Sequence, residues 1–268
     1  MGSEDFDTGV AHPARRYDYW LGGKDNFAAD RASGDAVEAQ FPTIRVSVRE
    51  NRWFLHRAVA FAARHERLRQ FLDIGTGIPT SPNTHQIAQQ ADPAARIAYA
   101  DNDPIVLAHA RALLTGTPEG RTVYLDADLR EPGEILRHPE LLRTIDLSQP
   151  VALMLVAVLH FLGDDENPRA VVDTLVDALV PGSLVIASHA TLEHLPADQA
   201  EAIIRADGRA HPRSGAALAA LFDRPDLRPV DAVKSVSRWW PDDAPQPRPT
   251  VEDTACNGLV ARVVRNTR

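Results

Sequence analysis

Five apolar runs of strand length constrain the fold of this 268-residue chain more than any other feature. They end near Ile74, Asp101, Asp128, Val158 and Ser188, with stretches of helical spacing between them, such as I-V-L-A-H-A-R-A-L-L and A-V-V-D-T-L-V-D-A-L-V. Repeated alternation of this kind requires a parallel sheet, because each return to the same edge needs a long crossover. In the second helical stretch Val171, Val172, Leu175, Val176 and Leu179 share a face that would lie on the sheet, and Pro181-Gly182 stops the helix. The run V-A-L-M-L-V-A-V-L-H-F-L at 151–162 is too short to span a bilayer and suits a central strand covered on both faces. After Ser188 the pattern changes. Helical stretches near 196–206 and 214–222 lead to V-D-A-V-K-S-V-S-R and G-L-V-A-R-V-V, which can pair as an antiparallel hairpin at one sheet edge.

The first run continues as F-L-D-I-G-T-G-I-P-T-S-P-N-T-H-Q, a strand, a glycine turn and a helix start. A dinucleotide turn reads G-x-G-x-x-G and sets a pyrophosphate on the helix N-terminus. Here the third glycine is missing, and Pro79, Ser81 and Pro82 occupy the helix start. The acid, Asp73, precedes Gly75 and Gly77. That order suits S-adenosylmethionine, which has no phosphate to cradle and needs backbone room and a carboxylate for its ammonium group. Asp101 ends the second run, where a carboxylate can accept from both ribose hydroxyls. Asp128 ends the third and can accept from an adenine amino group, with the adjacent backbone N–H meeting a ring nitrogen. Each acid has a plainer alternative when taken alone: Asp73 as a turn cap, Asp103 as the N-cap of a helix with Pro104 at its first position, Asp126 as a surface residue.

The chain resembles the class I S-adenosylmethionine-dependent methyltransferases. More narrowly, P-A-R-R-Y-D-Y-W-L-G-G-K-D-N-F-A-A-D-R, D-I-G-T-G-I-P-T, D-N-D-P-I-V-L-A-H-A-R-A-L-L, A-D-L-R-E-P and V-A-V-L-H-F-L are similar to one bacterial methyltransferase family long carried as a domain of unknown function. The resemblance runs from about Pro13 to Trp240. It implies a Rossmann-like, doubly wound and mostly parallel seven-stranded α/β sheet with an antiparallel edge hairpin. It also implies an N-terminal helical extension or lid over 1–68 and a cofactor domain over 69–268. By the same resemblance Asp73, Gly75, Thr76 and Gly77 line the methionine end, Asp101 and Asn102 the ribose, and Asp128 with Leu129 the adenine.

Composition narrows the partners. Lys plus Arg number 29 against 37 Asp plus Glu, a net charge of −8, so no overall basic field draws nucleic acid or an anionic membrane. The single cysteine, Cys256, excludes an internal disulfide framework, and the start M-G-S-E-D-F-D-T lacks the form of a signal peptide. We expect a cytoplasmic protein acting on a small-molecule acceptor, with no metal, since the histidines show no zinc-type spacing. The acceptor itself and the oligomeric state are not readable.

The N-terminal residues mix aromatic and charged groups around Gly22-Gly23, a composition suited to a lid. Tyr17 and Tyr19 can close over the methyl group, because aromatic faces attract cationic centres. The plainer alternative is a surface helix packed through Tyr17 and Trp20. In the amphipathic stretch that follows, Trp53, Leu55, Val59 and Phe61 are available for packing, and Arg52 can reach a carboxylate with its guanidinium fork. His160 and His189 follow the fourth and fifth strands and are the candidates for a general base, His160 first. Trp239 and Trp240 have an edge-packing role or line a pocket. Two other readings stay open: a protein that holds the cofactor without transferring the methyl, and a nicotinamide-dependent oxidoreductase, which Asp101 permits.

Overall fold

The structure is a computed structural model that describes residues 7–113, 116–239 and 246–264, with the side chains of 109–113 excepted. Trp240 lies outside the described residues. Three helices come first: α1 (Pro13–Leu21), α2 (Ala28–Gln40) and α3 (Ile44–Ala60). The alternating part follows as β1 (Gln70–Ile74), α4 (Thr84–Ala91), β2 (Arg96–Asp101), α5 (Pro104–Leu113), β3 (Arg121–Asp126), α6 (Pro132–Arg137), α7 (Pro139–Thr144), β4 (Ala152–Val156), α8 (Pro168–Asp177) and β5 (Leu184–Ala190). The chain ends with α9 (Ala197–Asp207), α10 (Gly215–Leu221), β6 (Leu227–Pro229), β7 (Lys234–Ser235), α11 (Val251–Thr254) and β8 (Cys256–Val263).

The strands run in the order β3-β2-β1-β4-β5-β8-β6, parallel from β3 to β5, with β8 antiparallel to β5. The order reverses between β1 and β4, where a crevice opens outside the carboxyl ends of the strands. The described sheet has eight strands where seven were expected. The expected run V-D-A-V-K-S-V-S-R supplies only β7, which pairs at Lys234↔Gly258, and β6, which precedes that run, pairs with Leu227↔Val263 register, both on β8. The Val230 N–H still donates to the Val260 carbonyl at 2.8 Å before the chain leaves the edge, so one edge position is filled by two short pieces.

Period-two alternation sends the strand side chains into two cores. Leu72 and Ile74 of β1, Leu153 and Leu155 of β4, and Val185 of β5 pack against Val172 and Leu175 of α8 and Leu218 of α10. Phe71, Met154 and Ile186 face the other way, onto Phe54, Leu55, Ala58 and Val59 of α3 and Ile87 and Ala88 of α4. Helix α3 therefore belongs to the main core. Its buried stripe runs through Phe54, Leu55, Ala58 and Val59 into Phe61. Trp53 lies off that stripe and is exposed, contrary to the packing role expected of it, with the Arg248 guanidinium 6.0 Å from its ring centre. Trp239 is fully buried and meets Phe54 and Phe61 edge to face, so it packs rather than lining a pocket. Among the described residues no helix is long and apolar enough to cross a membrane.

Candidate active site

A cavity of about 560 Å³ opens at the β1/β4 reversal. Its floor is made by the ends of β1, β2 and β4 and the loop after β3, and its roof by α1, α2, α3 and α9.

Asp73 sits inside β1 with only 3% of its surface exposed, and its carboxylate accepts from Thr84 Oγ1 at 2.7 Å. Burial pushes its pKa up to about 6, against the hydrogen bond and the Arg52 charge, which pull it down. Gly75 follows with φ +72° and donates to the Ala100 carbonyl at 2.8 Å, as Thr76 does at 3.4 Å. A β-carbon on Gly75 would lie 2.3 Å from Val158 Cγ2, so the turn has no room for one. Gly77, φ +66°, donates to Asp101 Oδ2 at 2.8 Å, and the Asp103 N–H donates to Asp101 Oδ1 at 3.0 Å. The Asp101 carboxylate thus ties the glycine turn to the start of α5, and burial raises its pKa. Asp103 accepts from the Ile105 N–H at 2.9 Å, as the expected helix cap does, and meets His12 Nδ1 at 2.8 Å.

Strand β3 stops at Asp126, so Asp128 lies two residues beyond the strand end at which it was expected. Its carboxylate accepts from Asn102 Nδ2 at 2.8 Å and from the Arg130 N–H at 2.8 Å. Burial pushes Asp128 up, but those bonds and the Arg130 charge bring it below the ordinary carboxylate value. Arg130 also reaches Glu166 at 2.5 Å and the Phe161 carbonyl at 3.2 Å, closing the rim beside Leu129.

Arg52 crosses from α3 to the loop before α4. Its Nη2 donates to the carbonyls of Thr80 and, at 3.0 Å, Pro82, while its buried Nε has no hydrogen-bond partner among the described residues. Burial lowers its pKa. Tyr17 lines the cavity and is fixed at its hydroxyl, which donates to the Val48 carbonyl at 3.0 Å and accepts from Asn51 Nδ2 at 2.9 Å. Burial pushes Tyr17 up to about 12. Asn51 Oδ1 in turn accepts from Ser188 Oγ at 2.5 Å, and Ser188 Oγ accepts from the Ala157 N–H at 3.0 Å. A continuous chain of hydrogen bonds thus joins the tip of β4 to the roof.

Other expected residues are placed elsewhere. Tyr19 does not line the cavity: its hydroxyl donates to Asp35 at 2.7 Å and the Arg45 guanidinium covers its ring at 4.7 Å. Tyr17 and Tyr19 lie two residues, about 200°, apart on one helix, so they face opposite ways. His160 lines the cavity from a short helical turn after β4, and its Nδ1 accepts from the Ala190 N–H at 3.3 Å. Burial and the neighbouring His189 hold its pKa well below the usual imidazole value. A neutral ring with Nδ1 accepting carries its proton on Nε2 and presents a donor there, which runs against the general-base role. His189 is wholly buried outside the cavity lining, between the Ala190 carbonyl at 2.8 Å and Arg213 Nη1 at 3.2 Å, and burial lowers its pKa to about 4.

Asn51 and Arg130 were not anticipated, whereas Arg16 belongs to the charged and aromatic N-terminal segment read as a lid. Arg16 is 3% exposed and spans the roof to Asp207 Oδ2 on α9 at 2.9 Å. A signal for Asn51 existed: with Leu55, Ala58 and Val59 it lies on the packed stripe of α3, so an amide there had to find partners inside the protein.

A family model described as S-adenosyl methyltransferase matches residues 1–264. The chain is 43% identical to a DUF574 family protein from Streptomyces avermitilis whose crystal structure aligns with TM-score 0.91, covering 96% of this chain and 99% of that one. A candidate methyltransferase from Thermobifida fusca aligns with TM-score 0.87 at 38% identity, covering 97% of each chain. Human N-acetylserotonin methyltransferase in complex with S-adenosylmethionine, at 14% identity and TM-score 0.51 over 96% of this chain and 64% of that one, shares the fold. No match was found among the curated proteins.

Proposed function

Since the chain belongs to the S-adenosyl methyltransferase family and is an S-adenosylmethionine-dependent enzyme of that kind, we propose that it methylates a small molecule enclosed between the strand ends and the helical roof. Membership of that family replaces the nicotinamide and binding-only readings. The observation that carries the acceptor class is the roof itself. Helices α1, α2, α3 and α9 cover the carboxyl ends of the strands and enclose a cavity of about 560 Å³ that the cofactor residues and the roof share, which leaves room for a small second occupant.

The residues present fit the cofactor. The buried Asp73 carboxylate receives an ammonium group, and the buried, unpartnered Arg52 Nε supplies a donor for the methionine carboxylate. Gly75 and Gly77 keep the backbone clear of side chains, with Thr76 between them. Asp101 has lone pairs left for ribose hydroxyls after its two backbone bonds, beside Asn102. Asp128 and Leu129 hold the adenine, with Arg130 closing the rim. When bound, S-adenosylmethionine supplies an electrophilic methyl group on a cationic sulfur, and S-adenosylhomocysteine is the product.

The protein's contribution is alignment and exclusion of water. The bond chain from Ala157 through Ser188 and Asn51 fixes the Tyr17 ring in the roof, where its face attracts a cationic centre. His160, with Nε2 as a donor, orients the acceptor rather than deprotonating it. The free, buried thiol of Cys256, its pKa pushed up to about 12 by burial, suits work in the reducing cytoplasm.

Calorimetric titration with S-adenosylmethionine and S-adenosylhomocysteine tests these assignments. Asp101→Ala is expected to weaken both by about tenfold or more, ~1.4 kcal/mol. Wild-type affinity in a folded variant would sink the ribose assignment.

A further inference from the structure

The walls of the cavity differ by origin, and the difference bears on the acceptor. The floor carries the carboxylates Asp73, Asp101 and Asp128, whereas the roof and far wall present Val37, Phe41, Ile44, Val48, Leu192 and Ile203. These six side chains come from α2, α3, α9 and the loops beside them, and none carries a polar atom.

The polar groups bordering that wall are already engaged. Arg16 is bound to Asp207 at 2.9 Å and Ser33 at 3.2 Å. The Tyr17 hydroxyl both donates and accepts, and the Asp18 carboxylate accepts from the Asp25 N–H at 2.9 Å and Asn26 Nδ2 at 2.8 Å. Arg209 and His211 line the mouth and stay exposed. Ser47 is buried on the same wall and offers it one hydroxyl.

We propose that the acceptor is an uncharged, largely apolar molecule with few hydrogen-bonding groups, seated against α2, α3 and α9. Hydroxyls of a sugar or amides of a peptide placed there would lose water without finding partners, each at a cost of roughly tenfold in affinity. An apolar ring system gains by leaving water, and one hydroxyl or carbonyl can be met by Ser47 or by His160 Nε2. The proposal rests on the methyltransferase reading of the same cavity and adds the chemical class of its second occupant.

The test is calorimetric titration of the full chain, saturated with S-adenosylhomocysteine, with 2-naphthol, maltose and trialanine as probes. The expected result is one 2-naphthol per chain, bound at least about tenfold more tightly than either polar probe. Leu192→Phe and Ile203→Phe fill the chamber and should each weaken 2-naphthol by about tenfold or more. Product binding on the floor serves as the check that both variants fold. Maltose or trialanine binding as tightly as 2-naphthol would overturn the proposal. So would no 2-naphthol binding to product-loaded protein, or wild-type binding by both filled variants. Failure of S-adenosylhomocysteine itself to bind would instead refute the cofactor assignment, and this inference with it.

Discussion

Asp73 couples cofactor binding to pH. Its carboxyl is buried and its pKa stands at about 6 in the free protein, so below that pH the neutral form dominates. A ligand ammonium group gains from the carboxylate and not from the acid, so cofactor affinity should fall as pH drops through 6. With a pKa of about 6, only about one free chain in ten is ionised at pH ~5, which predicts a loss of about tenfold, ~1.4 kcal/mol, between pH ~8 and ~5. Near pH 6 binding should release about half a proton, visible as a dependence of the calorimetric enthalpy on the ionisation enthalpy of the buffer. The same shift has the opposite sense for folding. An acid raised from 3.8 to about 6 contributes stability that is full below pH 3.8 and is lost as pH rises through 6. Asp73→Asn should therefore stabilise the free protein at pH ~8, by up to about 3 kcal/mol, while weakening the cofactor and flattening its pH profile. An affinity independent of pH between about 5 and 8, or a variant that keeps the wild-type slope, would refute the argument.

Three other perturbations probe separate parts of the structure. Gly75→Ala forces a side chain into a left-handed conformation and onto Val158, so a melting-temperature drop matching about 1–3 kcal/mol and loss of product binding are expected; unchanged melting would disprove the close approach. Glu50→Ala removes the carboxylate that faces Arg248, both side chains being 3% exposed or less, and leaves the buried guanidinium charge with neutral partners such as the Ser237 carbonyl, at an expected cost of about 3–5 kcal/mol in urea unfolding. A cost below about 1 kcal/mol would mean that the pair is solvated. The His160 ring should show no titration between about pH 6 and 8 by NMR, because burial keeps it neutral there; a midpoint near the ordinary imidazole value would restore it as a base.

Much of the floor was legible because strands and glycine turns leave local signatures. Asp73, Gly75, Gly77 and Asp101 fall where period and turn chemistry place them, and the helices predicted at 196–206 and 214–222 form as Ala197–Asp207 and Gly215–Leu221. The roof was harder, since its contacts join residues far apart in the chain, as Arg16 and Asp207 are. The apolar run at 151–162 reads as one strand, yet the backbone leaves the sheet after Val156, with Ala157 at φ +54°, and His160 lands on a separate turn. Hydrophobic periodicity carries no trace of a left-handed alanine. Tyr17 and Tyr19 could have been separated by helix geometry alone, while the split of β6 from β7 required knowing that both share β8.

That α3 lends Phe54, Leu55, Ala58 and Val59 to one face of the sheet limits how such a protein can diversify. An exchange of the whole N-terminal segment between relatives would unseat the scaffold along with the roof. New acceptor preferences are more readily reached by changes in α1, α2 and α9, whose clusters around Trp20 and Phe41 meet α3 at Ile44 and Val48, ahead of the residues it lends to the sheet. The layer that chooses the acceptor can then vary at little cost to the layer that folds.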